Sequence, residues 1–163
     1  MSFRLVAERP DHETAIARVL ERAFGPGRFA KTSERVRERG ARFEPALSRV
    51  AEEADGAVIG CCRIWCVHAG PAPVHFLGPL AVDPGAQHHG VGAALTQDAV
   101  TACRVAGGGG VILVGAPAFF QPLGFSLAPP GRVRLPGPVD PNRLLWIELR
   151  PGGLDKVAGE LTA

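Results

Sequence analysis

Phe76-Leu77-Gly78-Pro79-Leu80-Ala81-Val82, followed by Gln87-His88-His89-Gly90-Val91-Gly92, is the stretch whose reading decides the fold. An apolar run of strand length leads into a polar turn. Beyond it, Val91, Ala94, Leu95, Ala99, Ala102, Cys103 and Ala106 recur at helical spacing. The order is therefore strand, glycine turn, helix start. A helix start offers unpaired backbone N–H groups and the positive end of the helix dipole, and glycine lets an anion approach without a Cβ in the way. Gln87–Gly92 thus reads as an anion cradle at the end of a strand.

The neighbouring residues narrow the choice of anion. A P-loop needs Gly-Lys-Ser or Gly-Lys-Thr, and no lysine lies between Lys31 and Lys156. A dinucleotide fold needs a third glycine and an acidic residue about 20 positions on. Gly90-Val91-Gly92-Ala93-Ala94-Leu95 lacks that glycine, and nothing acidic lies between Asp98 and Asp140.

Gly107–Gly110 then ends the helix, and Val111-Ile112-Leu113-Val114 reads as a buried strand. Strand, helix, strand at this spacing is a βαβ unit. Its two strands are expected to be parallel neighbours, with ligand at their carboxyl ends. Upstream, Asp55-Gly56 between Leu47–Glu52 and Ala57–Val67 predicts a hairpin, and Gly70-Pro71-Ala72-Pro73 turns the chain into the strand ending at Val82. Phe3–Val6 alternates like a strand. Ile16, Val19, Leu20 and Ala23 share a helical face, closed by Gly25-Pro26-Gly27, and a polar helix is predicted from about Thr32 to Arg39. The Pro/Gly-rich chain up to Asn142 reads as surface loops with one strand near Arg132–Leu135, before a strand at Leu144–Leu149.

Size and composition set the remaining bounds. At 163 residues the chain is expected to form one domain, 1–163, with a substantial core. Its longest apolar runs fall far short of the roughly 20 residues of a membrane span. No signal-like segment opens it, so a cytoplasmic location and no membrane partner are expected. A net charge of +2 is too mild to predict a nucleic-acid partner. The basic stretch Lys31–Arg42 also carries Glu34 and Glu38 and reads as a solvated helix face. Cys61 and Cys62 should point to opposite faces of a strand. Cys62, Cys66 and His68 share a face, yet Cys-Cys-x-x-x-Cys is not a zinc-knuckle spacing, so no metal is expected and the thiols read as core residues.

These blocks coincide with a known pattern. Leu77–Pro84 followed by Gln87-x-x-Gly90-x-Gly92-Ala93 resembles the acetyl-CoA strand and pyrophosphate loop of the GNAT superfamily of acetyl-CoA-dependent N-acetyltransferases. Gly115-x-Pro117-Ala118, with Gly124-Phe125 after it, resembles the family's late Gly-Asp-Pro-Ala-Tyr-Tyr-x-x-x-Gly-Phe segment. Pro136–Pro141 and Pro151–Leu154 are similar to the closing segments of a bacterial subgroup of predicted N-acetyltransferases. The resemblance implies an α+β fold with a mixed central sheet of about six or seven strands flanked by about four helices. It implies acetyl-CoA as acyl donor and an unidentified primary amine as acceptor. The oligomeric state is open, with the C-terminal strands as candidates for pairing across a homodimer. The resemblance also implies that Leu80, Ala81 and Val82 hold the acetyl carbonyl and pantetheine arm, that Gln87, His88, His89, Gly90, Val91, Gly92 and Ala93 wrap the pyrophosphate, and that Phe120 packs against the coenzyme.

Acetyl transfer to an amine needs a neutral amine, oxyanion stabilisation and a proton for the departing thiolate. From Gly56 to Val82 there is no Asp or Glu, which leaves His75 and His68 as the conventional bases in that interval, or a water relay. At the position of the family's tyrosine stands Phe120, and the chain contains no tyrosine. A phenyl ring donates no proton. Ser126 and Cys103 are candidate substitute donors, and a catalytically weak or inactive acyl-CoA-binding homologue, acting as sensor or partner subunit, is the alternative function.

Overall fold

The computed structural model describes residues 2–26 and 32–163; Gly27 and Lys31 lie outside them. In chain order the elements are β1 (Arg4–Ala7), α1 (Glu13–Phe24), α2 (Thr32–Glu38), β2 (Arg42–Phe43), β3 (Arg49–Glu52), β4 (Val58–Ala69), β5 (Ala72–Val82), α3 (Val91–Val105), β6 (Gly110–Val114), α4 (Pro117–Phe120), β7 (Ser126–Leu127), β8 (Val133–Arg134), β9 (Leu144–Glu148) and β10 (Gly159–Thr162). The sheet runs β1-β3-β4-β5-β6-β9-β7, with β2, β8 and β10 attached at its margins. Those marginal strands, two to four residues long, are the additions to the expected six or seven. β10 pairs with β4 and β8 of its own chain, so this C-terminal edge is already occupied.

Local chemistry places the central elements as expected. Asp55 and Gly56, the latter at φ 87°, turn β3 into β4. Gly25, at φ 67°, ends α1, its N–H bonding to the Glu21 carbonyl at 2.9 Å. β5 and β6 are parallel neighbours joined by α3. The other neighbouring pairs of the main path are antiparallel, which makes the sheet mixed.

Strand alternation divides the core by faces. Cys62, Ile64, Leu77, Val111 and Leu113 meet Val91, Leu95, Ala99 and Cys103 of α3. Cys61 and Ala81 meet Ile16, Val19 and Leu20 of α1. Phe76 and Ile112 turn to the cluster containing Val36 of α2, Trp146 and the C-terminal Val157 and Leu161. Cys61 and Cys62 thus occupy opposite faces. Burial pushes the Cys61 and Cys103 thiols up to about 12 and raises Cys62 as well, which makes them packing groups rather than nucleophiles.

A buried polar knot ties β1 to β3 beneath α1. Glu52, 3% exposed, takes the His12 imidazole on Oε1 at 2.6 Å and Arg4 on Oε2 at 3.0 Å. Hydrogen bonding from His12, more than the Arg4 guanidinium, holds the Glu52 carboxyl below the usual carboxylate range against the opposing effect of burial.

Candidate active site

The site begins with a strand that leaves its neighbour. The parallel ladder registers His75 with Val111 and Phe76 with Ile112 and goes no further. Cys62 stands opposite Leu80 and Ile64 opposite Leu77, so Gly78 and Pro79 of β5 bulge against the single residue Arg63 of β4. Pro79 has no N–H to give to a ladder. Beyond the bulge β5 stays paired to β4, with Ala81 opposite Cys61 and Val82 opposite Gly60, while β6 continues alongside β9 to Val114. A gap opens at the carboxyl ends of the two parallel strands, leaving the β6-facing edge of Leu80–Val82 without a ladder partner among the described residues.

The helix start lies beside that gap. Ala94 N–H bonds to the Gly90 carbonyl at 3.0 Å, and no side chain of the described residues caps the helix, so Val91, Gly92 and Ala93 have no N–H partner within it. His88 at φ 71° and Gly90 at φ 76° are both left-handed, a backbone that curls successive N–H groups towards one concavity. Asp83 anchors the loop: it accepts from Gly85 N–H at 2.9 Å and pairs with Arg22 of α1 at 3.0 Å. Thr96 Oγ1 donates to the Gly92 carbonyl at 2.8 Å.

These parts border one cleft of about 1200 Å³. Leu80, Ala81, Val82, Gln87, His88, Gly90, Val91, Gly92, Ala93 and Phe120 all line it. His89 is exposed and does not. Phe120 is 7% exposed, at 4.8 Å from the Phe119 ring and 5.6 Å from Phe125. Its ring packs against Gly115 closely enough to leave no room for a Cβ there.

His68 and His75 are not brought to this cleft. Both border a second hollow of about 1190 Å³ at the opposite end of the sheet, with Cys66, Glu44 and Gly108. The reason is geometric: a strand advances about 3.3 Å per residue, so His75 lies roughly 17 Å before Leu80 along β5. His75 Nδ1 is buried with no hydrogen-bond partner among the described residues, and burial pulls the imidazole below its ordinary value. Neither Cys103, on the core-facing side of α3, nor Ser126, on β7, lines the cleft.

Other cleft residues carry no motif in the sequence. Phe119 lies over the helix start, where a Cβ on Gly92 would stand 3.3 Å from its Cζ. Trp65 Nε1 donates to the Gly78 carbonyl at 2.6 Å, steadying the bulge. Arg63 grips Glu8 through Nη2 at 2.7 Å and stands 5.2 Å from the Phe43 ring centroid. Arg63 and Trp65 did carry a signal, as polar-tipped residues alternating within an otherwise apolar strand. Glu34 and Arg37 of α2 pair with each other at the cleft wall, and burial lowers the Arg37 guanidinium while Glu34 pulls it back. Arg143 Nε reaches the Gly115 carbonyl at 3.3 Å. Among the described residues no group of three metal-ligating side chains assembles, and no helix is long and apolar enough to cross a membrane.

The model of the acetyltransferase (GNAT) domain matches residues 46–127, half of the chain, from just before β3 to the end of β7. No curated protein sequence matches. Among solved structures, the GNAT family N-acetyltransferase YhbS from Escherichia coli, crystallised with CoA, is 25% identical with a TM-score of 0.82, over 98% of this chain and 88% of that one. A GNAT family acetyltransferase from Brucella melitensis in complex with acetyl-CoA is 25% identical with a TM-score of 0.72, over 99% and 96%. The ribosomal-protein-S18-alanine N-acetyltransferase from Escherichia coli, 19% identical with a TM-score of 0.64 over 91% and 94%, shares the fold. With its splayed β5–β6 pair, its glycine turn into α3 and the domain match across both, the chain belongs to the GNAT acetyltransferase family.

Proposed function

We propose that residues 1–163 act as one acetyl-CoA-dependent N-acetyltransferase domain that moves an acetyl group to a primary amine. The observation that carries this is the unpaired β5 edge at Leu80–Val82 beside the unpaired N–H groups of Val91, Gly92 and Ala93, both facing one cleft. The donor's pyrophosphate is anionic and suits the helix start, where Gly90 and Gly92 keep side chains out of its way. His88 stands at the same turn. The pantetheine arm is a flexible chain with amides, and a strand edge without a partner can hydrogen-bond such amides as an added strand would. Backbone N–H groups at Leu80–Val82 would also stabilise negative charge developing on the thioester oxygen. Phe119 and Phe120 wall the channel and exclude water.

The departing thiolate meets no tyrosine. With Phe120 at that position, the sulfur leaves as the anion or takes its proton from water, which slows turnover without abolishing it. The same substitution supports a second reading, a catalytically weak or inactive homologue that binds acyl-CoA as a sensor or partner subunit. Calorimetry with acetyl-CoA and thiol release across small amines, aminoglycosides and peptides separate the two. Binding with turnover is expected. Binding with silence across the amines selects the sensor, and failure to bind any CoA ester removes both.

A further inference from the structure

An alkylamine is an ammonium near neutral pH, and it attacks a thioester only after losing a proton. Three described carboxylate residues border the cleft: Glu13, Glu34 and Asp140. Glu13 is exposed in the first turn of α1. Asp140 is also exposed, its carboxylate accepting from Asn142 N–H at 2.9 Å. Glu34 differs from both, with a side chain 21% exposed and paired one turn on with Arg37, which is 8% exposed. Arg37 in turn reaches the β5 bulge: its Nη1 lies 3.4 Å from where a Cβ would stand on Gly78. Gly78 precedes Leu80 by two residues, and its carbonyl is held by Trp65. A single guanidinium therefore links the Glu34 carboxylate to the part of β5 where the strand edge becomes free.

We propose that Glu34 is the base of the transfer and that Arg37 is the residue that positions it, an assignment that rests on the acetyltransferase function proposed above. The acceptor's ammonium gives one proton to a Glu34 carboxylate oxygen, directly or through one water. The freed nitrogen lone pair forms the C–N bond to the acetyl carbonyl carbon, and the C–S bond breaks with its electron pair on sulfur. The second N–H proton passes through water to the thiolate, giving the free thiol. Glu34 then releases its proton to solvent. Arg37 suits the positioning role because a buried guanidinium with a fixed fork has few other orientations to adopt.

The test uses the full chain with Glu34→Gln and Glu34→Asp. Glu34→Gln keeps a hydrogen-bonding partner for Arg37 and is expected to melt within about 2 °C of the wild type and to bind acetyl-CoA equally well. On ethylamine and longer alkylamines its kcat/KM is expected to fall about 100-fold, within the range of general base catalysis. On trifluoroethylamine, which is largely neutral at pH 7.5, the loss is expected to be about threefold or less, because no proton must leave before attack. Glu34→Asp is expected to recover part of the alkylamine rate. Wild-type kcat/KM in Glu34→Gln overturns the assignment while leaving the transferase function standing. Equal losses on charged and neutral amines overturn it too, since they report a displaced α2 rather than a missing base. A wild type that binds acetyl-CoA and acetylates none of these amines, nor the aminoglycosides and peptides, removes the transferase function, and the base with it.

Discussion

Gly60→Ala probes how closely α3 must sit on the sheet for its first turn to serve as an anion site. Gly60 is buried in β4 opposite Val82, and a Cβ there would stand 2.9 Å from Leu95 Cδ1, 3.1 Å from the Ala81 carbonyl oxygen and 3.3 Å from Val91 Cγ1. Leu95 is 0% and Val91 1% exposed, so neither side chain has space to yield into, and the third neighbour is backbone. Relief requires the first two turns of α3 to lift by a few tenths of an ångström. Overpacking of this kind costs about 1–3 kcal/mol, and removing a strand glycine returns roughly 0.5–1 kcal/mol. The middle of each range leaves a net loss of about 1.2 kcal/mol, or roughly 2–5 °C in melting temperature for a chain of this size. The lift also carries the Val91, Gly92 and Ala93 N–H groups away from the anion. A hydrogen bond to a charged group contributes about 1.5–3 kcal/mol, so losing the better part of one raises the acetyl-CoA Kd about tenfold. Differential scanning calorimetry and titration calorimetry read both effects, with Val105→Ala, at an 84% exposed position on the far end of the same helix, as the unaffected comparison. A Gly60→Ala protein with wild-type melting temperature and wild-type affinity would refute the reasoning.

Three further outcomes are expected. Phe120→Tyr, on a ring that lines the cleft, should raise kcat by about tenfold or more with little change in stability, since general acid catalysis is worth about 10²–10⁴; an unchanged initial rate would mean that the para position does not face the sulfur. Ala93→Asp places a carboxylate in the first turn of α3, which favours the helix dipole but repels the pyrophosphate, so melting temperature should hold or rise while acetyl-CoA affinity falls at least tenfold. Glu52 has a depressed carboxyl pKa, so its contribution is complete above the unfolded value near 4.5 and is lost as pH falls through the lower folded value. Melting temperature should therefore drop below about pH 4.5, and Glu52→Gln, destabilised at neutral pH, should show a shallower decline there.

Much of the site was legible because its determinants are local. A glycine turn, an apolar strand before it and a helical stripe after it lie within a single βαβ unit, and short-range backbone sterics and periodicity suffice to place them. The turn at Asp55-Gly56 and the opposite facing of Cys61 and Cys62 follow from equally short-range rules. The two candidate histidines show where that logic stops. His75 and Leu80 share a strand and are close in sequence, yet an extended chain carries them to opposite ends of the sheet. Glu34 and Arg37 read as an ordinary solvated helix face, because nothing in α2 itself reveals that it packs over the β5 bulge.

The sequence by itself thus determined the family, the strand-turn-helix whose glycine turn opens α3, and the absence of a tyrosine at Phe120. Those are properties of contiguous residues, written in glycine conformations, hydrophobic period and residue identity. Only the tertiary structure decided how β5 parts from β6, which side chains face the opening, and that the half-buried Glu34 carboxylate at the cleft comes from a helix more than forty residues before the free strand edge. Such neighbours are chosen by long-range packing, which leaves no local pattern in the chain to read.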